Sequence, residues 1–143
     1  RSITIRGAVG SNGELLTTLC GGDTGRVLQC LMGENSAGRF EHLVITKGHA
    51  SGTFPDGIGG GIFIGTEGDL SGTPVSPVIH DCTIVENHAS NYGGGIGITN
   101  AGAIITSCRL LEHTCVTYGG GLYADGDLEL NYEMSPYKFG SCV

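Results

Sequence analysis

Gly59-Gly60-Gly61-Ile62-Phe63-Ile64 is followed by Gly93-Gly94-Gly95-Ile96-Gly97-Ile98 and by Gly119-Gly120-Gly121-Leu122-Tyr123-Ala124, three copies of one phrase. A second phrase interleaves with it at 40–51, 79–90 and 105–116, reading FEHLVITKGHAS, IHDCTIVENHAS and ITSCRLLEHTCV. The last two copies of each phrase lie 26 residues apart, and the earlier pair is separated by 34 residues for the glycine phrase and 39 for the other. Leu43 and Ile45 align with Cys82 and Ile84 and with Cys108 and Leu110, while Ile62 and Ile64 align with Ile96 and Ile98 and then with Leu122 and Ala124. This period-two alternation repeats the same inward positions in every copy. Each repeat reads as two short strands with no helical pattern between them, which excludes βαβ units. If each strand lies parallel to its counterpart one repeat later, about 4.8 Å away, equal positions stack into aliphatic columns. The expected fold is all-β, a parallel β-helix of about five or six short coils.

The flanking sequence fits the same plan. Ser2–Arg6 alternates, Gly25–Leu31 takes the place of the glycine phrase, Leu15–Leu19 supplies a further strand, and Asp127–Tyr132 alternates at the far end with Gly102 and Gly126 in register. Corners between short strands call for left-handed backbone, which glycine reaches freely and asparagine more easily than most residues. Gly48, Asn87 and His113 occupy one aligned corner. The segment 65–77 (GTEGDLSGTPVSP), inside the longest repeat interval, reads as a loop projecting from a single domain spanning 1–143.

Composition bounds the partners. With 143 residues, 27 glycines but four prolines and no Gly-X-Y period, the chain is neither collagen nor linker. Its net charge of -7 and seven scattered basic residues argue against nucleic acid. No apolar run approaches the roughly 18 residues of a membrane span. The chain opens at Arg1 and not at methionine, as expected for a processed product or a piece of something longer.

The GGGI repeats with their small-residue corners, and Ile84-Val85-Glu86-Asn87 in the place of an F-x-x-N phrase, resemble the repeats of chlamydial polymorphic outer membrane proteins. More broadly the chain resembles right-handed parallel β-helix proteins of the pectin-lyase-like superfamily, which implies a right-handed winding. That resemblance covers adhesins and autotransporter passengers as well as polysaccharide lyases and hydrolases, so it does not select an activity. Ile84 in place of phenylalanine and the six cysteines depart from the pattern.

The register bears on those cysteines. Cys82 and Cys108 are equivalent positions of neighbouring repeats, Cys115 and Cys142 lie 27 residues apart, and Cys20 and Cys30 remain. The three pairs are disulfide candidates in an oxidising compartment, and the alternative for Cys82 and Cys108 is a pair of reduced core residues.

Catalytic signatures are sparse. Lys47, Glu86 and Glu112 share a column that reads as a solvated ladder, or as paired carboxylates suited to acid–base work or calcium. His49 and His88 align one repeat apart as a histidine pair able to share a transition metal, without an evident third ligand. Asp125, Asp127 and Glu129 are weak metal candidates at an acidic turn lacking EF-hand spacing. Residues 119–124 satisfy G-x-G-x-x-A formally, but no helix follows, and no P-loop, G-x-S-x-G or H-E-x-x-H motif is present. No cofactor is expected. Phe63, Tyr92, Tyr118 and Tyr123 form the candidate binding surface, able to stack on sugar rings or on a protein. The expected role is a noncatalytic structural or interaction element, outside the cytoplasm (secreted, cell surface or organelle lumen). It would meet protein partners or further coils through its ends and side faces. A carbohydrate-binding or polysaccharide-acting module, and an accessory subunit of a large complex, are the alternatives.

Overall fold

The computed structural model describes residues 3–31, 38–65 and 75–131. All regular structure among them is β. The first repeat contributes β1 (Thr4–Arg6), β2 (Thr17–Cys20) and β3 (Leu28–Leu31). The second contributes β4 (Arg39–Glu41), β5 (Leu43–Thr46), β6 (His49–Ala50) and β7 (Ile62–Gly65). The third contributes β8 (Val78–His80), β9 (Thr83–Val85), β10 (His88–Ala89) and β11 (Ile96–Thr106), and the last β12 (Arg109–Leu111), β13 (Thr114–Cys115) and β14 (Leu122–Asn131).

These strands form three separate parallel sheets, partly curled. One holds β2, β5, β9 and β12 and a second, small one holds β6, β10 and β13. The seven-stranded sheet joins two ladders, because the long β11 pairs β7 through Ile96–Thr99 and β8 through Ile104–Thr106. The small sheet was not anticipated. Its two-residue strands come from the His-Ala end of the second phrase, too short for an alternation to register, so each repeat carries more than the two strands expected.

Parallel register does the stacking that the alternation implied. Leu19, Ile45, Ile84 and Leu110 align in one column, Phe40, Ile79 and Ile105 in another, and Leu28, Ile62, Ile96 and Leu122 in a third. From Phe40 through Ile105 to Leu110 the inward members of these columns are buried in one continuous core, with Leu19, Leu28 and Leu122 packed at its margins. Each buried Ile or Leu removes apolar surface worth about 1.5–3 kcal/mol.

The corners differ from expectation in one respect. The left-handed residue is the one before the aligned Gly48, Asn87 and His113: Lys47, Glu86 and Glu112 have φ of 53°, 52° and 55°. A second corner repeats the device at His42, Asp81 and Ser107, with φ of 57°, 47° and 53°. Such residues cost on the order of 1 kcal/mol each. What offsets them is visible at Asn87, whose side chain is turned inward: Oδ1 accepts from Gly48 N at 2.7 Å and Nδ2 donates to Ile45 O and Val85 O at 3.1 and 3.0 Å. In the glycine phrase the requirement is space. A Cβ on Gly60 would stand 2.0 Å from His88 O, and one on Gly94 2.3 Å from Thr114 O.

Register also corrects one alignment. Gly126 pairs with Ala101, and Gly102 with Asp127, because Asn100 (φ 49°) is extruded where β11 and β14 shift register. Of the loop expected at 65–77, residues 66–74 lie outside the described residues, while Val75 is buried and accepts from Gly102 N at 2.8 Å.

His113 takes over the Asn87 position one repeat later but fills it less completely. Its Nδ1 accepts from Asn87 N at 3.2 Å, while Nε2 is buried without a hydrogen-bond partner. Burial pushes its pKa down to about 4. The folded chain therefore holds His113 neutral, whereas an unfolded histidine takes up a proton near pH 6.5. Stability is complete above about pH 6.5 and is lost as pH falls toward 4, by up to about 3 kcal/mol for this group. His88, lowered by burial and by His49, acts in the same direction. Urea unfolding across pH 4 to 7 should show this slope. His113→Asn, which restores both side-chain donors, should raise stability at pH 7 by about 1 kcal/mol and flatten part of the slope.

Candidate functional site

The outer corner between the four-stranded sheet and the small sheet carries a cleft of about 340 Å³ lined by Asp23, Lys47, Glu86, Asn87, His88, Glu112 and Thr114. Its charged side chains come from the left-handed corner residues, whose backbone turns them out of the core. Lys47, Glu86 and Glu112 are exposed, as the reading of a solvated ladder requires, and Asp23 adds a further carboxylate at the rim. The lining carries three carboxylates and one ammonium.

His88, which lines the cleft, is stacked with His49. They are direct partners across β6 and β10, with ring centroids 4.7 Å apart at 41°. His88 Nδ1 lies 2.8 Å from Thr114 Oγ1 in the next strand. The same His–Thr pairing recurs at His80 and Thr106, 2.7 Å apart.

A second polar cluster was not singled out from the sequence. Glu41 is buried between Arg6, whose Nε lies at 2.6 Å, and Arg39, with a nitrogen at 2.5 Å. The Arg39 and Arg6 guanidiniums hold its carboxyl below the usual carboxylate range. Next to it His42 Nδ1 meets Asp81 Oδ2 at 2.8 Å. The signal was present: laying Ser2–Arg6 on 37–41 sets Arg6 against Glu41, the register that β1 and β4 adopt. Thr106 hydrogen-bonds His80 while Asp81 hydrogen-bonds His42, and the two rings are 6.0 Å apart, so hydroxyl, imidazole and carboxylate never share one histidine.

Of the four aromatics expected to form a surface, three come together. Tyr92 stacks on Tyr123 at 4.7 Å and on Tyr118 at 6.1 Å with planes within 4°. Tyr118 is 66% exposed. Burial, with Asp125 nearby, raises the Tyr123 phenol pKa. Phe63 is the exception. It shares the outward column with Tyr123 but is buried, its ring covered by the Arg26 guanidinium 4.3 Å from the centroid.

Cys82 and Cys108 stack within the core, the Cys82 sulfur 3.5 and 3.4 Å from Phe40 O and His80 O and the Cys108 sulfur 3.5 and 3.3 Å from Ile79 O and Thr106 O. Hydrogen bonding to Cys82 and burial push the Cys108 thiol up. Cys20 is exposed on β2, and Cys30 is buried on β3 in another sheet. Cys115 is buried with Ala50 and Ala89, and Cys142 lies outside the described residues. Asp125 and Glu129 are exposed on β14, and the side chain of Asp127 is outside the described set. Among the described residues no group of three or more His, Cys, Asp or Glu converges on a common point.

With no tryptophan and five tyrosines, near-ultraviolet circular dichroism reads the tyrosine stack directly. Tyr92→Leu removes the central ring and should abolish well over one fifth of the signal. A loss in proportion to one ring in five would mean that the rings are not coupled.

Compared with family models, with curated proteins and with solved structures, the chain matches none.

Proposed function

We propose that the chain is a section of right-handed parallel β-helix acting as a noncatalytic scaffold outside the cytoplasm, bound by other protein at the ends of its stack. The observation that carries this reading is the distribution of exposed apolar side chains. Ile3, Val9 and Leu16 lie beside β1 and β2 at the start of the ladders, and Val116 and Tyr118 flank β13 and its neighbours at their end. Phe54 is the one large exposed apolar residue between them among the described residues. Both groups adjoin the outermost strands of their sheets: among the described residues β1 and β2 pair only with β4 and β5, and β12 and β13 only with β9 and β10. Open edges with apolar neighbours are costly to leave in water and are ready templates for another strand. The separation of Asp81 from the His80–Thr106 pair supports a noncatalytic role. The strand order, returning to each sheet one place further along with every repeat, supports the solenoid winding. The right hand rests on the family resemblance, and the extracytoplasmic setting on the six cysteines, an even number that suits an oxidising compartment.

Hydrogen exchange tests the reading. In the native polypeptide or assembly, amides of β1, β2, β12 and β13 should exchange at least tenfold more slowly than in the isolated segment, with β5 and β9 unchanged. Equal rates in both would leave the ends uncovered and remove the proposal. Protection lost on dilution would identify a separate partner subunit.

A second reading, carbohydrate binding, is favoured by the open outer face of Tyr118. Tyr92 and Tyr123 are less exposed, so a sugar would stack on Tyr118 itself. Glycan-array binding abolished by Tyr118→Ala but retained by Phe63→Leu would support it, and an array without binding would dismiss it.

A further inference from the structure

The His49–His88 pair takes no part in the scaffold reading. Ala50 and Ala89 are buried, so their chain neighbours His49 and His88 project from the outer face of the small sheet, one directly over the other. Both imidazoles are half-buried, which restricts their rotation. A metal held about 2 Å from one nitrogen of each ring allows ring centroids roughly 4.5–6 Å apart, the shorter separations corresponding to ligands at roughly a right angle. The observed 4.7 Å falls at the short end. Adjacent ligand positions at a right angle belong to tetragonal and octahedral sites, and N-donor affinity rises toward copper along the first row.

The second sphere is present as well. Thr114 Oγ1, 2.8 Å from His88 Nδ1, can accept the Nδ1 proton and leave the Nε2 lone pair for a metal, the arrangement that orients ligating histidines. The neighbouring cleft, with Asp23, Glu86 and Glu112 against Lys47, supplies a negative field and room for coordinated water.

We propose that His49 and His88 form a two-imidazole site for a divalent late first-row metal, Cu2+ before Ni2+ and Zn2+, with water in the remaining positions. His42 and His80 make a natural control. They lie on neighbouring repeats but out of register, since His80 pairs with Glu41; their rings are 6.0 Å apart and His42 is engaged by Asp81.

The test uses the tag-free chain carrying Cys20→Ser, so that the exposed thiol does not reduce Cu2+. Electron paramagnetic resonance of one equivalent of Cu2+ should show superhyperfine coupling to two nitrogens. His49→Ala and His88→Ala should each reduce this to one nitrogen and weaken binding at least tenfold by calorimetry, while His42→Ala leaves both unchanged. Thr114→Val should weaken binding severalfold without changing the nitrogen count, the mark of a positioning residue. Urea unfolding of each variant separates ligand loss from misfolding. Two-nitrogen coupling that survives His49→Ala, or affinity unchanged by both alanine variants, overturns the site, as does equal loss on His42→Ala.

Discussion

Parallel register is the constraint on which the rest depends. Each residue sits directly over its counterpart in the previous repeat, so any property placed at one position is multiplied into a column. For aliphatic residues the product is the core, where Ile45, Ile84 and Leu110 touch like neighbours and exclude water. The requirement also explains the strain. To keep successive strands in register the chain must turn within one or two residues, and it does so with side-chain-bearing residues in left-handed backbone at His42, Asp81 and Ser107 and at Lys47, Glu86 and Glu112. Inward polar groups such as Asn87, tied to two carbonyls and an amide, compensate by satisfying the backbone exposed at those turns.

The same multiplication acts on the surface. Corner residues become the charged cleft, the outward histidines of β6 and β10 become a stacked pair, and Tyr92 and Tyr118 become parallel rings. The His–Thr contacts between repeats share one spacing, His80 to Thr106 and His88 to Thr114, each across 26 residues. Surface features of this kind are by-products of register before they are sites. Those worth testing are the ones where geometry adds something the repeat does not require: the open face of Tyr118, and the unshared nitrogens of His49 and His88.

Much of this was legible in the sequence because stacking is one-dimensional. Two copies of a phrase at a constant interval suffice to align Leu43 with Cys82, His49 with His88 and Tyr92 with Tyr118, and no long-range folding information is needed. Failures came where the interval changes or the strand is too brief. Asn100 steps out of β11 and shifts Gly102 off Gly126, and the two-residue strands of the small sheet carry no detectable period. The Arg6–Glu41 pair was hidden because the first repeat is too divergent to align confidently against the second by phrase alone.

By itself the sequence determined the all-β class, the parallel pairing and the inward columns, since alternation and repeat length are local properties that leave few ways to bury the same positions in every copy. Only the tertiary structure decided which outward residues are in fact exposed. Phe63 and Tyr123 occupy one column, yet an arginine 37 residues before Phe63 in sequence closes over the first ring and not the second. The surroundings of Cys82 and Cys108, carbonyl oxygens within the core, likewise follow from packing. Cover and contact depend on side chains brought together across sheets, where no period in the chain reports them.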